Sequence, residues 1–125
     1  MKGNVSAMLP SKAEALAPFK SILSVKAPMS LVNELQTHGY KANSGDTMET
    51  LMSWAYDKYM AVFTLDEING EPAVGVKSYK NGVNDIEFDK KRNASLLDAV
   101  VEAFRLVIAI RLITEYEDYY FPEDY

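Results

Sequence analysis

Cysteine is absent from the 125 residues, which excludes disulfides, thiolate metal sites and thiol nucleophiles together. Histidine is nearly absent too: His38 stands alone, so no site needing two imidazoles can be built. Positive charge is short, with 13 Lys and Arg against 18 Asp and Glu and a formal net charge of −5. A broad footprint on nucleic-acid phosphates needs the opposite sign, which disfavours nucleic acid as a partner. Long apolar runs are missing. The most apolar stretch, 95–114, contains Asp98, Glu102, Arg105 and Arg111, too many charges for a membrane span. The first ten residues carry one positive charge and no sustained apolar run, unlike a secretory signal. No Gly-rich phosphate loop, nucleophile elbow or zinc spacing occurs, and no cofactor is implied. These absences together suggest a soluble, cytoplasmic protein.

What is present is an ordinary globular composition, 48% apolar and 25% charged, enough for one domain with its own core. The expected layout is a single domain over 1–125, with a loose N-terminus at 1–10 and an acidic aromatic tail at 115–125. Ser11-Lys12-Ala13-Glu14 has the form of a capping box, and Pro18 cuts the helix it opens or restarts it. Ala27-Pro28-Met29-Ser30 opens a second helix carrying Leu31, Val32 and Leu35, with Gly39 as its stop. Lys41 to Gly45 is polar loop. Asp46-Thr47-Met48-Glu49 starts a third helix, with Met48, Leu51, Met52, Ala55 and Tyr59 at helical spacing.

The middle of the chain contains two hairpin signals, Asn69-Gly70 and Asn81-Gly82, twelve residues apart. They divide it into strands Met60–Glu67, Glu71–Tyr79 and Val83–Lys90. A two-residue turn at Asn69-Gly70 pairs Leu65 with Val74 and Phe63 with Val76 on one core face. At the second turn the same geometry would set Val76 against Glu87. A three-residue loop, Lys80-Asn81-Gly82, instead pairs Val76 with Ile86, Val74 with Phe88 and Lys77 with Asp85. A helix from about Ser95 follows, amphipathic at first and then apolar nearly all round. Such a helix needs cover on more than one side. The N-terminal helices, a second copy of the chain, or both would supply it. Val107, Ile108 and Leu112 are the candidate self-association residues of a two-fold homodimer.

Asp85, Glu87 and Asp89 alternate on one strand, as a hard-cation site or a carboxylate acid/base pair would. The alternation of a half-solvated strand with Ile86 and Phe88 predicts the same pattern. His38 before Gly39 fits a helix C-terminus. Trp54 reads as a core anchor, and Lys90-Lys91-Arg92 as a solvated connection. Asp66, Glu67 and Glu71 read as turn chemistry. The tail has the strongest signal: five acids and five aromatics in the eleven residues 115–125. Aromatic anchors with carboxylate steering are what an interface to a basic partner uses. Tyr116, Glu117, Asp118, Tyr119, Tyr120, Phe121 and Tyr125 are therefore the candidate partner-binding residues. Folding back over the domain would use the same rings.

Trp54, Phe63, the two hairpins and then the run Asn93-Ala94-Ser95-Leu96-Leu97-Asp98-Ala99-Val100-Val101-Glu102-Ala103-Phe104 resemble small phage proteins of the α–β–α sandwich type. The likeness covers about residues 45–110. It implies a three-stranded sheet preceding an Ala-rich helix and a protein that acts by binding, and it brings no catalytic residues. The fold expected is α+β: N-terminal helices, a three-stranded antiparallel meander, and a long C-terminal helix packed on the sheet. The function expected is a small non-enzymatic binding protein, in the manner of an inhibitor of a host protein. Two alternatives come from other classes. Three helices and a hairpin is also the order of a winged-helix DNA-binding regulator, although the third helix carries Glu49 and Asp57 with only Lys58. A carboxylate-based metal-dependent enzyme would use Asp85, Glu87 or Asp89.

Overall fold

The computed structural model describes residues 9–78, 86–105 and 108, with side chains over 9–77, 93–105 and 108. The fold is α+β. Helix α1 (Lys12–Leu16) opens on a reciprocal capping box, Ser11 Oγ accepting from the Glu14 N–H at 3.2 Å and Glu14 Oε1 accepting from the Ser11 N–H at 3.0 Å. Pro18 then converts the chain to a 3-10 helix, Ala17–Ile22. Its missing N–H and fixed φ suit a helical first turn, and its ring prevents α1 from running on. Tyr56 donates to the Pro10 carbonyl at 2.6 Å and Lys12 bonds Asp57 at 2.9 Å, so the chain is tethered by the end of the stretch expected to be loose.

Helix α2 (Met29–Gln36) buries Leu31, Val32 and Leu35. Gly39, at φ +99°, ends it: the Tyr40 N–H reaches back to the Leu35 carbonyl and the Gly39 N–H to that of Gln36, both at 3.1 Å, satisfying carbonyls that the helix leaves open. Helix α3 (Met48–Tyr59) buries the five residues whose spacing defined it, Met48, Leu51, Met52, Ala55 and Tyr59. Met60 caps it in the left-handed conformation, so the first strand begins one residue later than its apolar pattern suggests.

Strands β1 (Ala61–Ile68), β2 (Glu71–Ser78) and β3 (Ile86–Arg92) pair antiparallel in the order β1-β2-β3. Asn69 and Gly70 both have positive φ, +54° and +84°, the requirement of a type I′ turn. That turn fixes Phe63 opposite Val76 and Leu65 opposite Val74. The β2–β3 register differs from the one the sequence favours. Val76 pairs with Phe88, Lys77 with Glu87 and Ser78 with Ile86. The slip is two residues, which preserves face parity and so satisfies the same apolar pattern. A bulge follows: Val74 pairs with Lys91, leaving Gly75 against two residues of β3. Lys91 and Arg92 thus belong to a strand and not to a connection. Asn81-Gly82 and Asp85 lie outside the described residues.

The chain is helical again from 96 to 105 and at 108, with Ser95 Oγ accepting from the Asp98 N–H at 3.1 Å. We call this helix α4. Its Ala99, Val100, Ala103, Phe104 and Ile108 join Phe19, Leu31, Leu35, Phe63, Val74 and Val76 in one core cluster. Phe63 is the hub, with ring centroids 6.4 Å from Phe19 and 4.9 Å from Phe104. The N-terminal helices therefore supply cover for α4 within a single chain. Ile108 is only 5% exposed, which corrects its assignment to a self-association surface. It continues the Val100/Phe104 stripe at i, i+4 and i+8 and is spent on the chain's own core. Val107 and Leu112 lie outside the described residues.

Candidate functional site

Strand β1 is covered for only part of its length. Ala61, Val62 and Phe63 are buried, and from Leu65 onward every residue is exposed. The cover is two-sided at the buried end, where Phe63 meets the main core and Val62 meets Ala15, Leu9 and Tyr56. Past Thr64 β1 loses its cover, while its partner β2 stays buried at Val74 and Ala73 and paired with β3 as far as Ala73. Leu65 is 39% exposed, which corrects its reading as a core residue. Its pairing with buried Val74 is as expected, but pairing fixes a face and not the depth of cover on it.

The free end combines exposed apolar and acidic side chains. Ile68 is 38% exposed, and Asp66, Glu67 and Glu71 are exposed beside it. Glu67 pairs with Pro72, so Leu65, Glu67 and Pro72 share one face. With Asp66 they line a shallow groove of about 450 Å³. Proline is tolerated in this inner strand because the β2–β3 ladder ends at Ala73 opposite Arg92, and the Pro72 carbonyl takes the Asn93 N–H at 3.0 Å. The Asp66 carboxylate accepts the Glu67 N–H at 2.8 Å. In a two-residue hairpin that N–H points away from β2, toward the open edge. Asp66 therefore covers a donor that an edge strand would otherwise present.

A second concavity, of about 350 Å³, lies beside the start of α3 and is lined by Lys26, Ala27, Met29, Val32, Ala42, Asn43, Ser44 and Asp46. Asp46, at 7% exposure, is the one buried charged residue among those described. Its Oδ2 accepts the Asn43 N–H at 2.8 Å, closing the loop before α3. Nearby, burial raises the pKa of Tyr40 above its ordinary 10.0; the Asp46 carboxyl acts in the same direction and the Thr50 hydroxyl against it.

The remaining residues singled out by sequence fall in structural roles or outside the description. Trp54 packs on the core edge-to-face with Tyr40 and Tyr59, centroids at 5.4 and 5.7 Å. The Lys58 ammonium lies 6.0 Å from the Trp54 ring and 5.6 Å from that of Tyr59. His38 is half-buried at the end of α2. Glu87 and Asp89 are located by backbone only, in β3. Tyr116, Glu117, Asp118, Tyr119, Tyr120, Phe121 and Tyr125 lie outside the described residues. No cluster of His, Asp or Glu suited to a metal occurs among the described residues, and no helix among them is long and apolar enough to cross a membrane. No family model, curated protein or solved structure matches the chain. The hairpin groove is the feature that the sequence reading missed. Its signal was the placement of Asp66, Glu67 and Glu71 around a turn whose flanking Leu65 and Ile68 lack cover.

Proposed function

We propose that this chain is a small acidic binding protein without catalytic function, and that the free end of the β1–β2 hairpin engages a basic surface of a protein partner. The observation that carries this reading is the groove of Leu65, Asp66, Glu67 and Pro72, with apolar and acidic side chains side by side on a strand end that the core does not cover. Such a groove suits a lysine or arginine of the partner. The aliphatic stem lies along Leu65 and Pro72, and the cationic head meets Glu67 and Asp66. The acids also steer approach, and the −5 net charge acts in the same sense. The residues 116–125 repeat the chemistry, with carboxylates among aromatic rings, and would extend the same interface. The frame of this reading is a three-stranded meander backed by a C-terminal helix that continues past 105. Blocking a basic functional surface of another protein is the form of action this suggests.

The test is capture from the cells that express the chain, using wild type and the double variant Leu65→Ser/Glu67→Lys in parallel. Both side chains are exposed, so the variant should melt close to wild type. The expected result is a basic protein held by wild type and lost by the variant, with binding that weakens as salt rises. Equal retention by the two proteins would remove the hairpin from the interface.

A further inference from the structure

Strand β1 is an outer strand of the sheet. The two-residue turn fixes which of its main-chain groups are used. Ile68 and Glu71 flank that turn as a hydrogen-bonded pair, so Asp66 and Thr64 bond toward β2 while Glu67 and Leu65 turn their N–H and carbonyl groups outward. Among the described residues no hydrogen bond uses those groups of Leu65. At Glu67 the Asp66 carboxylate holds the N–H at 2.8 Å. The open stretch is short. Phe63 is only 3% exposed and closed to an incoming chain, whereas 65–68 are all exposed. Asn69, at positive φ, ends the strand. About four residues of edge, roughly 14 Å, are left open. Their side chains run apolar, acidic, acidic, apolar: Leu65, Asp66, Glu67, Ile68. Leu65 and Glu67 share the face of Pro72, and Asp66 and Ile68 lie on the other. A strand added here sets one residue opposite each of these, on the same face. A second copy of β1 centred on the stretch would set Asp66 against Glu67, and like charges directly opposite are unfavourable.

We propose that β1 accepts an extended segment of the partner protein as a fourth, antiparallel strand whose side chains run apolar, basic, basic, apolar. This rests on the reading of the hairpin as the docking site of a basic protein, and it specifies the segment that docks. Two alternate residues of the segment exchange main-chain hydrogen bonds with Leu65 and Glu67. Its two basic residues meet Glu67 and Asp66, one on each face of the sheet, and its apolar residues cover Ile68 and Leu65. Asp66 makes the edge selective. Its carboxylate occupies the Glu67 N–H until a cation draws it away, so a basic strand frees that donor and an acidic strand does not.

The experiment is an amide-NMR titration of the full chain with the blocked hexapeptide Ac-Thr-Val-Lys-Arg-Val-Thr-NH2. Binding should shift residues 65–68 and slow the exchange of the Leu65 and Glu67 amide protons. Two N-methylated forms test for main-chain pairing, since alternate N–H groups of an antiparallel strand face β1. Methylation at Lys and the second Val should weaken binding at least about tenfold, and methylation at the first Val and Arg should leave it within about twofold. Replacing Lys and Arg by Glu should abolish it. Absence of binding, equal loss in the two methylated forms, or shifts centred away from 65–68 would each overturn the proposal. Association of the chain alone through 65–68 would also overturn it, by giving the edge to a second copy. The reading beneath it fails separately: it falls if Leu65→Ser/Glu67→Lys retains the captured protein. It stands without the strand if that variant loses the protein while both methylated peptides bind alike.

Discussion

Among the described residues, four sit at positive φ, Gly39, Met60, Asn69 and Gly70, and each marks a place where direction changes. Glycine tolerates that region and an L side chain loses about 1–2 kcal/mol there. Gly39→Ala and Gly70→Ala should each destabilise by roughly that amount in urea denaturation. A Cβ at Gly39 would meet only Lys58 Nζ, at an ordinary 3.8 Å, so the loss is conformational and not steric. Met60→Gly should do the reverse and gain up to about 1 kcal/mol, because Met60 is an exposed αL cap. Tyr40 adds a dependence on pH. Burial holds its proton in the folded chain, so the unfolded chain, titrating near about 10, releases it first. Stability that is present below that value is lost as pH rises through the higher folded value. The stability difference between wild type and Tyr40→Phe should therefore shift against wild type above pH about 10; a difference that stays constant there would contradict the assignment.

At the scale of elements, the open edge of β1 and the seam under α4 behave differently. Asp66→Ala should leave melting nearly unchanged but uncover the Glu67 N–H, raising concentration-dependent association measurable by light scattering. Phe104→Ala removes the ring against Phe63 and should cost about 3–5 kcal/mol. The helices were legible because their signals are local. The Ser11–Glu14 box, Pro18, Gly39 and the spacing from Met48 to Tyr59 each act within a few residues. The first hairpin was equally legible, since Asn69-Gly70 leaves one turn type. The β2–β3 register was not. A slip of two residues keeps Phe88 or Ile86 equally suited to face Val76, so hydrophobic pattern cannot choose between them. The bulge at Gly75 depends on the sheet and has no local signature. The exposure of Leu65 was hidden for a related reason: alternation tells which face a residue occupies, and only the reach of the helices tells whether that face is covered. Ile108 shows the converse: a helix apolar nearly all round left its partner open in the sequence, and Ile108 joins the core cluster of its own chain.

The acidic chain packs its main core within one copy over the described residues. We propose Leu112 and Val107, which lie outside the described residues, for the contact of a two-fold homodimer. Leu112→Lys should convert a dimer to a folded monomer in sedimentation analysis; wild type that sediments as a monomer at high concentration would contradict the dimer. Deleting 116–125 should weaken partner binding while leaving the melting temperature close to wild type, whereas a fall of many degrees would mean that these residues complete the core. We propose that a basic protein docks at the free end of the β1–β2 hairpin. Hydrogen–deuterium exchange of the chain with and without its captured partner measures this most directly. Exchange should slow at residues 65–72, and high salt should reverse the effect. Unchanged exchange there, with protection elsewhere in the chain, would contradict it.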